Sequence, residues 1–286
     1  MIPDDKKYHF LNTIQILSLD VVAGTLAVGY MAIRLLNVTP IPQWWVILPL
    51  AVWVVYSLDH IIDSAKNKGE AVIYRHRFHY LYRKQIIFVL ILTGLITASL
   101  SLMYLDRQII ILGLGLSIFI AIYFALIYFL KLKKTVFLQK ELIIAFVYTS
   151  GIFIAPLYWY EALPSFSVII IIFIIFLIAW FEGILISWFD NDNDIMDGHT
   201  SFTVIVGKRN TRRFLIVGHM FVEILIVVVL IMIPVSIIFY ALLITLIMNF
   251  ILAMIIMFPE SFARNNYYRL IGETVFLLPF SIILVS

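Results

Sequence analysis

Four aspartates in this chain are spaced to act in pairs. Asp190 and Asp194 stand four residues apart in the stretch Ser187–Ser201, S-W-F-D-N-D-N-D-I-M-D-G-H-T-S, directly after a long apolar run. If a helix continues through them, both carboxylates lie on one face, neighbours across a single turn. Asp59 and Asp63 repeat the spacing at the end of a much earlier apolar run. No base lies close to the later pair in sequence, and paired carboxylates at a membrane boundary are costly without a cation. A hard divalent ion with oxygen ligands, Mg²⁺ above all, removes that cost. The reading is therefore two facing pairs, Asp59/Asp63 and Asp190/Asp194, holding Mg²⁺ against a diphosphate. Two other readings stay open: acids solvated at the membrane surface, and the cation site of a cation-coupled membrane transporter. A transporter's acids are expected near mid-membrane, whereas these close apolar runs.

The elements that must position these residues are membrane spans. The chain has 286 residues, 63% of them hydrophobic and 13% charged, with a mean hydropathy of +1.06. Such a composition belongs to polytopic membrane proteins, not soluble domains. The absence of cysteine excludes disulfides, cysteine–zinc sites and thiol catalysis. Apolar runs of bilayer length fall near 12–36, 41–62, 85–104, 108–130, 142–159, 165–188, 214–232, 234–257 and 268–285. The expectation is an all-α protein, nine transmembrane helices forming a single domain over 1–286. Met1–Phe10 carries Asp4, Asp5, Lys6 and Lys7 and no small-residue cleavage site, so the first run is expected to be a span rather than a signal peptide.

Basic residues orient the spans. Taking loops alternately, one side holds Lys6 and Lys7, then Lys66, Lys68, Arg75, Arg77, Arg83 and Lys84. It also holds Lys131, Lys133, Lys134 and Lys140, then Lys208, Arg209, Arg212, Arg213, Arg264 and Arg269, leaving only Arg34 and Arg107 opposite. The rich side is expected to be cytoplasmic, with the N-terminus and the site loops on it, in a multi-pass protein of a bacterial inner membrane. Both aspartate pairs end spans that run toward that side, the second and the sixth. They therefore face the same water, next to the basic loops.

Further candidates surround them. Arg75 and Arg77 sit in R-H-R-F-H-Y-L-Y-R-K, residues 75–84. Guanidinium groups grip phosphate oxygens in bidentate fashion, and the same segment could instead lie on anionic lipid headgroups. His60, His76 and His79 are possible acid–base groups or simply solvated. Asp20, Glu182, Glu223, Asn249 and Glu273 fall inside apolar runs, where ionisable groups are functional candidates. Glu182 precedes Asp190 by two helical turns, near the same face, placed to hydrogen-bond an acceptor substrate or take a proton.

The sequence resembles the UbiA superfamily of intramembrane prenyltransferases, which has about nine helices and two aspartate-rich motifs. Its second motif reads D-x-x-D-x-x-x-D-x-x-x-G-x-x-T, followed by V-x-x-G and a basic residue. Here Ser187 takes the first place, Asp190 and Asp194 the next two, Gly198 the glycine and Ser201 the hydroxyl, with Val204, Gly207, Lys208 and Arg209 behind. The first motif is less faithful. Asp59 and Asp63 fit its last two places, but Val55 and Tyr56 stand where Asn and Asp are expected. Tyr128 followed by Lys131, Lys133 and Lys134 resembles the family's tyrosine-then-basic stretch. The resemblance implies transfer of a prenyl group from a polyprenyl diphosphate to an acceptor, an aromatic one being expected, within membrane lipid and with no nucleic acid involved. It implies Mg²⁺ on Asp59, Asp63, Asp190 and Asp194, with Arg75, Arg77, Lys133 and Lys134 on the diphosphate. The altered first motif keeps a terpene cyclase on the same scaffold open as an alternative.

Overall fold

In a bilayer an apolar run satisfies its backbone polar groups only by coiling into a helix. The computed structural model describes residues 13–64, 74–130, 139–198 and 200–285, and among these nine helices are long and apolar enough to cross a membrane. The chain is an integral multi-pass membrane protein, and the described residues contain no strand.

The first half has α1 (Leu19–Leu36), α2 (Trp44–Ser64), a short α3 (Tyr74–Leu81), α4 (Arg83–Tyr104) and α5 (Arg107–Leu130). Then come α6 (Lys140–Trp159), α7 (Phe166–Phe189), the short α8 (Asn191–Met196) and α9 (Phe202–Val206), α10 (Lys208–Met232) and α11 (Ile237–Met257). The ninth span, Pro259–Leu284, is composite. A short α12 (Pro259–Ala263) ends where Asn265 and Asn266 turn left-handed, α13 (Tyr267–Thr274) follows, and Val275–Leu284 continues as a 3₁₀ coil.

Local signals explain the boundaries. Asn37, left-handed at φ 51°, closes α1, and Ile233 runs extended into Pro234 between α10 and α11. The expected start of the seventh span near 214 is corrected. The helix begins at Lys208, so its first two turns carry Lys208, Arg209, Arg212 and Arg213 at the water boundary. Gly207 supports that start by adopting φ +86°, a conformation costly for other residues.

The spans do not share burial equally. α7 is central, packing against α6, α10 and α11, while α1 packs against α2, α6 and the 3₁₀ coil. By contrast, α4 leans on α2, α5 leans on α6, and the two have little contact with each other. Phe88, Leu95, Leu102 and Met103 of α4 are all more than 60% exposed, a lipid-facing surface. Deep in the bundle His219 of α10 meets the Asn249 side chain of α11 at 2.8 Å, and Asn249 Nδ2 donates to the His219 carbonyl at 3.0 Å. This accounts for Asn249 within an apolar run: it ties two helices where no water competes.

Candidate active site

Each aspartate pair reaches the same cavity from its own helix end. Asp59 and Asp63 occupy the last two turns of α2, one turn apart, and both are buried. Asp190 lies at the join between α7 and α8. The helix breaks there, yet the Asp194 N–H still donates to the Asp190 carbonyl at 2.9 Å. The break therefore preserves the one-turn relation that the spacing implies. All four carboxylates line one cavity of about 220 Å³, with Tyr56, His60, Arg75, Lys140, Glu141, Glu182, Ser187, Ser201, Arg269 and Glu273 also in its wall.

Two bases rooted in spans meet the acids. Lys140, the first residue of α6, places Nζ 2.9 Å from Asp59 Oδ2 and pairs at still closer range with Asp63. Arg269 of α13 pairs with Asp190, whose other oxygen accepts the Tyr268 hydroxyl at 2.6 Å. Arg269 also lies 3.7 Å from Glu273, one turn on, and Glu273 accepts from Gln15 Nε2 at 3.1 Å. Among the described residues no base makes a close ion pair with Asp194, although the more distant Lys140 charge acts on it. Burial first, then the negative charges of Asp190 and Asp63, push its carboxyl up to about 6.

Other contacts hold the frame. Glu141 accepts the Phe202 backbone N–H at 2.9 Å, satisfying a donor that the start of α9 leaves open. Ser187 meets the Thr203 hydroxyl at 2.9 Å, tying α7 to α9. His60 meets the Ser18 hydroxyl at 3.0 Å and packs its ring 5.1 Å from that of His79, which docks α3 beneath α2. His79 Nδ1 lies 2.9 Å from the Arg75 carbonyl.

The structure thus brings together Asp59, Asp63, Asp190, Asp194, Glu182 and Arg75. It does not bring Arg77 with them: that residue is exposed and outside the cavity wall. Two residues along a helix is about 200° of rotation, so Arg75 and Arg77 point to opposite sides of α3. Lys131, Lys133, Lys134 and the Tyr128 side chain lie outside the described residues. Lys208 packs over the Trp188 ring and lies 3.5 Å from Asp192, away from the cavity. Glu223 does not line the cavity either. Sequence reasoning gave no site role to Lys140, Glu141, Tyr268 or Arg269. Their signal was a charged or hydroxyl-bearing side chain within the first turns of a span, where it must turn away from lipid.

A second, apolar cavity of about 450 Å³ opens between α2, α4, α5 and α6. Small residues create it: Gly94, Ala98 and Gly113 line it, and a Cβ added at Gly94 or Gly113 would meet nothing within 4 Å. Val55, in the place of a motif Asn, faces this apolar space and packs near Ile120, Tyr123 and Phe124. Tyr56, Asp59, Ile144 and Tyr148 belong to both walls, so the charged and apolar cavities join there.

The donor set suits a hard divalent ion. Among the described residues the polar wall carries seven carboxyl groups, Asp59, Asp63, Glu141, Glu182, Asp190, Asp194 and Glu273, against three bases, Arg75, Lys140 and Arg269. An anionic ligand entering such a wall needs further cations, and carboxylate oxygens are the ligands Mg²⁺ prefers. No three acidic or histidine side chains among the described residues already converge on one point.

No family model matches the sequence, and no curated protein matches it. Among solved structures, the apo structure of a UbiA homolog from Aeropyrum pernix K1 is similar, with a TM-score of 0.64, 12% identity, and coverage of 94% of this chain and 98% of that one. Likeness at that identity concerns the course of the backbone, and it agrees with the motif resemblance read from residues 187–209. The chain carries the UbiA fold, with nine spans and no strand among the described residues.

Proposed function

We propose that this chain is an intramembrane prenyltransferase. It moves a prenyl group from a polyprenyl diphosphate to an aromatic acceptor. The observation that carries this reading is the joining of a charged cavity and an apolar one at Tyr56, Asp59, Ile144 and Tyr148. A substrate with an anionic head and an apolar tail fits that pair of spaces, and a small soluble substrate does not need the second.

In this reading the diphosphate enters the polar cavity and the prenyl tail lies between α4 and α5. Asp59, Asp63, Asp190 and Asp194 are the candidate ligands of Mg²⁺. When bound, Mg²⁺ supplies positive charge that offsets the charge growing on the leaving diphosphate. Arg75, Lys140 and Arg269 add fixed positive charge on the same wall and orient the phosphate oxygens. The carbon–oxygen bond breaks with both electrons leaving on the diphosphate. The allylic cation then sits at the join of the cavities, where the ring faces of Tyr56 and Tyr148 favour positive charge. A ring carbon of the acceptor forms the new bond and releases its proton. Glu182, whose Oε1 is buried and has no hydrogen-bond partner, receives it. The basic residues near this end of the spans favour a cytoplasmic site.

Purified protein incubated with Mg²⁺, prenyl diphosphates of several lengths and aromatic acceptors should release diphosphate and form a prenylated product. Asp194→Ala should lower turnover about 100-fold or more, equivalent to roughly 3 kcal/mol of lost stabilisation. Release that survives chelation, or an active Asp194→Ala protein, would remove the metal from the reading. Diphosphate release with only a cyclised hydrocarbon formed would replace the transferase by a cyclase.

A further inference from the structure

The two aspartate pairs are not equivalent. At the first pair the Lys140 ammonium touches both carboxylates: Nζ lies 2.9 Å from Asp59 Oδ2 and closer still to Asp63 Oδ2. Lys140 stands in the first turn of α6, and its partners are buried in the last two turns of α2, so both ends of the contact are rooted in packed helices. At the second pair the resident base is offset. Arg269 meets Asp190 and Glu273 and does not bridge to Asp194. Asp194, which also lines the cavity, makes no close ion pair among the described residues, and Lys140 reaches it only as a more distant charge.

A divalent ion bridging Asp59 and Asp63 would have to occupy the point where Lys140 Nζ stands. An ammonium and a divalent cation cannot share that point, because like charges a few ångström apart repel strongly in a buried site. Val55, one turn before Asp59, has no ligating atom and faces the apolar cavity. Val55 therefore withholds the oxygen that an Asn would offer there, while the Lys140 ammonium already neutralises charge on both carboxylates.

We infer that Lys140 is the resident cation of the Asp59–Asp63 pair, standing where a bridging divalent ion would otherwise sit, so that the metal is held from the Asp190–Asp194 side. This rests on the proposed metal-assisted reading and divides its four candidate ligands into two roles. Lys140 is a positioning residue: it fixes the first pair and presents an already neutralised wall to the diphosphate. It also spares the chain one ion.

The test counts ions rather than turnover. Full-length protein in detergent is titrated with Mn²⁺ alone, and bound ion is measured from the loss of the free Mn²⁺ paramagnetic resonance signal. Lys140→Met, uncharged and of similar length, should bind one more Mn²⁺ per chain than the parent protein. Lys140→Arg, which restores a cation, should return to the parental count. In the parent background, joint replacement of Asp59→Asn and Asp63→Asn should leave the count unchanged, a readout that survives if Lys140→Met fails to fold. A fall in the count of the double variant, or equal nonzero counts for parent and Lys140→Met, overturns the inference and leaves the metal reading standing. No Mn²⁺ bound by any of these proteins overturns both.

Discussion

Asp190 and Val55 show how a motif position is decided by what the fold turns it toward. Asp190 faces polar partners: Tyr268 donates to one oxygen and Arg269 pairs with the other, and each oxygen keeps a free lone pair. Val55 faces the apolar cavity, so restoring the family's amide there would place a polar group among Ile120, Tyr123 and Phe124. Val55→Asn should therefore cost about 1–3 kcal/mol and slow turnover without lowering the Mg²⁺ needed for half-maximal rate. A metal titration checks it, and a clear drop in that requirement with rate preserved would show the opposite. His79 gives a pH dependence. Burial lowers its pKa, with the nearby Arg75 charge acting in the same direction and its contact to the Arg75 carbonyl opposing them. The unfolded chain takes up this proton near pH 6.5, while the fold resists it. The unfolded state therefore binds more protons, so stability is complete above that pH and is lost as pH falls toward the lower folded value. Thermal melts at pH 7.5 and 5.5 should differ less for His79→Asn than for the parent, because the variant has no imidazole to charge beneath α2.

At the level of elements, the parts legible in the sequence are those set by local chemistry. Spans were visible because each is an apolar run of bilayer length, and the aspartate pairs because a one-turn spacing survives even the break at Asp190. Lys140 and Arg269 were visible only as loop charges that orient the chain. Which helix they face depends on packing that no local pattern encodes. Arg77 lies off the cavity wall for a simpler reason, since two positions on a helix look in opposite directions. The left-handed pair Asn265 and Asn266, which breaks the ninth span, has no apolar signal of its own. The open space between α4 and α5 was likewise invisible, because single glycines such as Gly94 and Gly113 are common in membrane helices. Gly113→Leu tests what that space holds. The added side chain meets no neighbour at its Cβ, so the fold should tolerate it. Turnover of the longest prenyl diphosphates should fall about 10-fold relative to the shortest, measured as rate against chain length on one protein preparation.

For the whole molecule, the polar cavity gathers the ends of α2, α6 and α7 at one side of the bundle. Reporter fusions within 64–84, 131–140 and 189–213 should all report cytoplasm, and one result from the far side would break the orientation. The arrangement also sets an order of assembly. α1 packs against the 3₁₀ coil Val275–Leu284, so closely that a Cβ at Gly24 would lie 2.8 Å from Phe276 Cβ. Arg34 reaches the Val285 carbonyl at 2.9 Å, and Gln15 reaches Glu273. A helix made early thus pairs with a segment made more than 200 residues later, as the 251-residue separation of Arg34 and Val285 shows. At about 5–20 residues per second, the stretch between them takes roughly 10–50 s to synthesise. During that interval Gln15 waits for Glu273, and Asp190 waits for Tyr268 and Arg269. A ribosome stalled before residue 268 leaves eight spans inserted and an acidic wall without one of its bases, a form that membrane quality control could recognise by its unpaired charge.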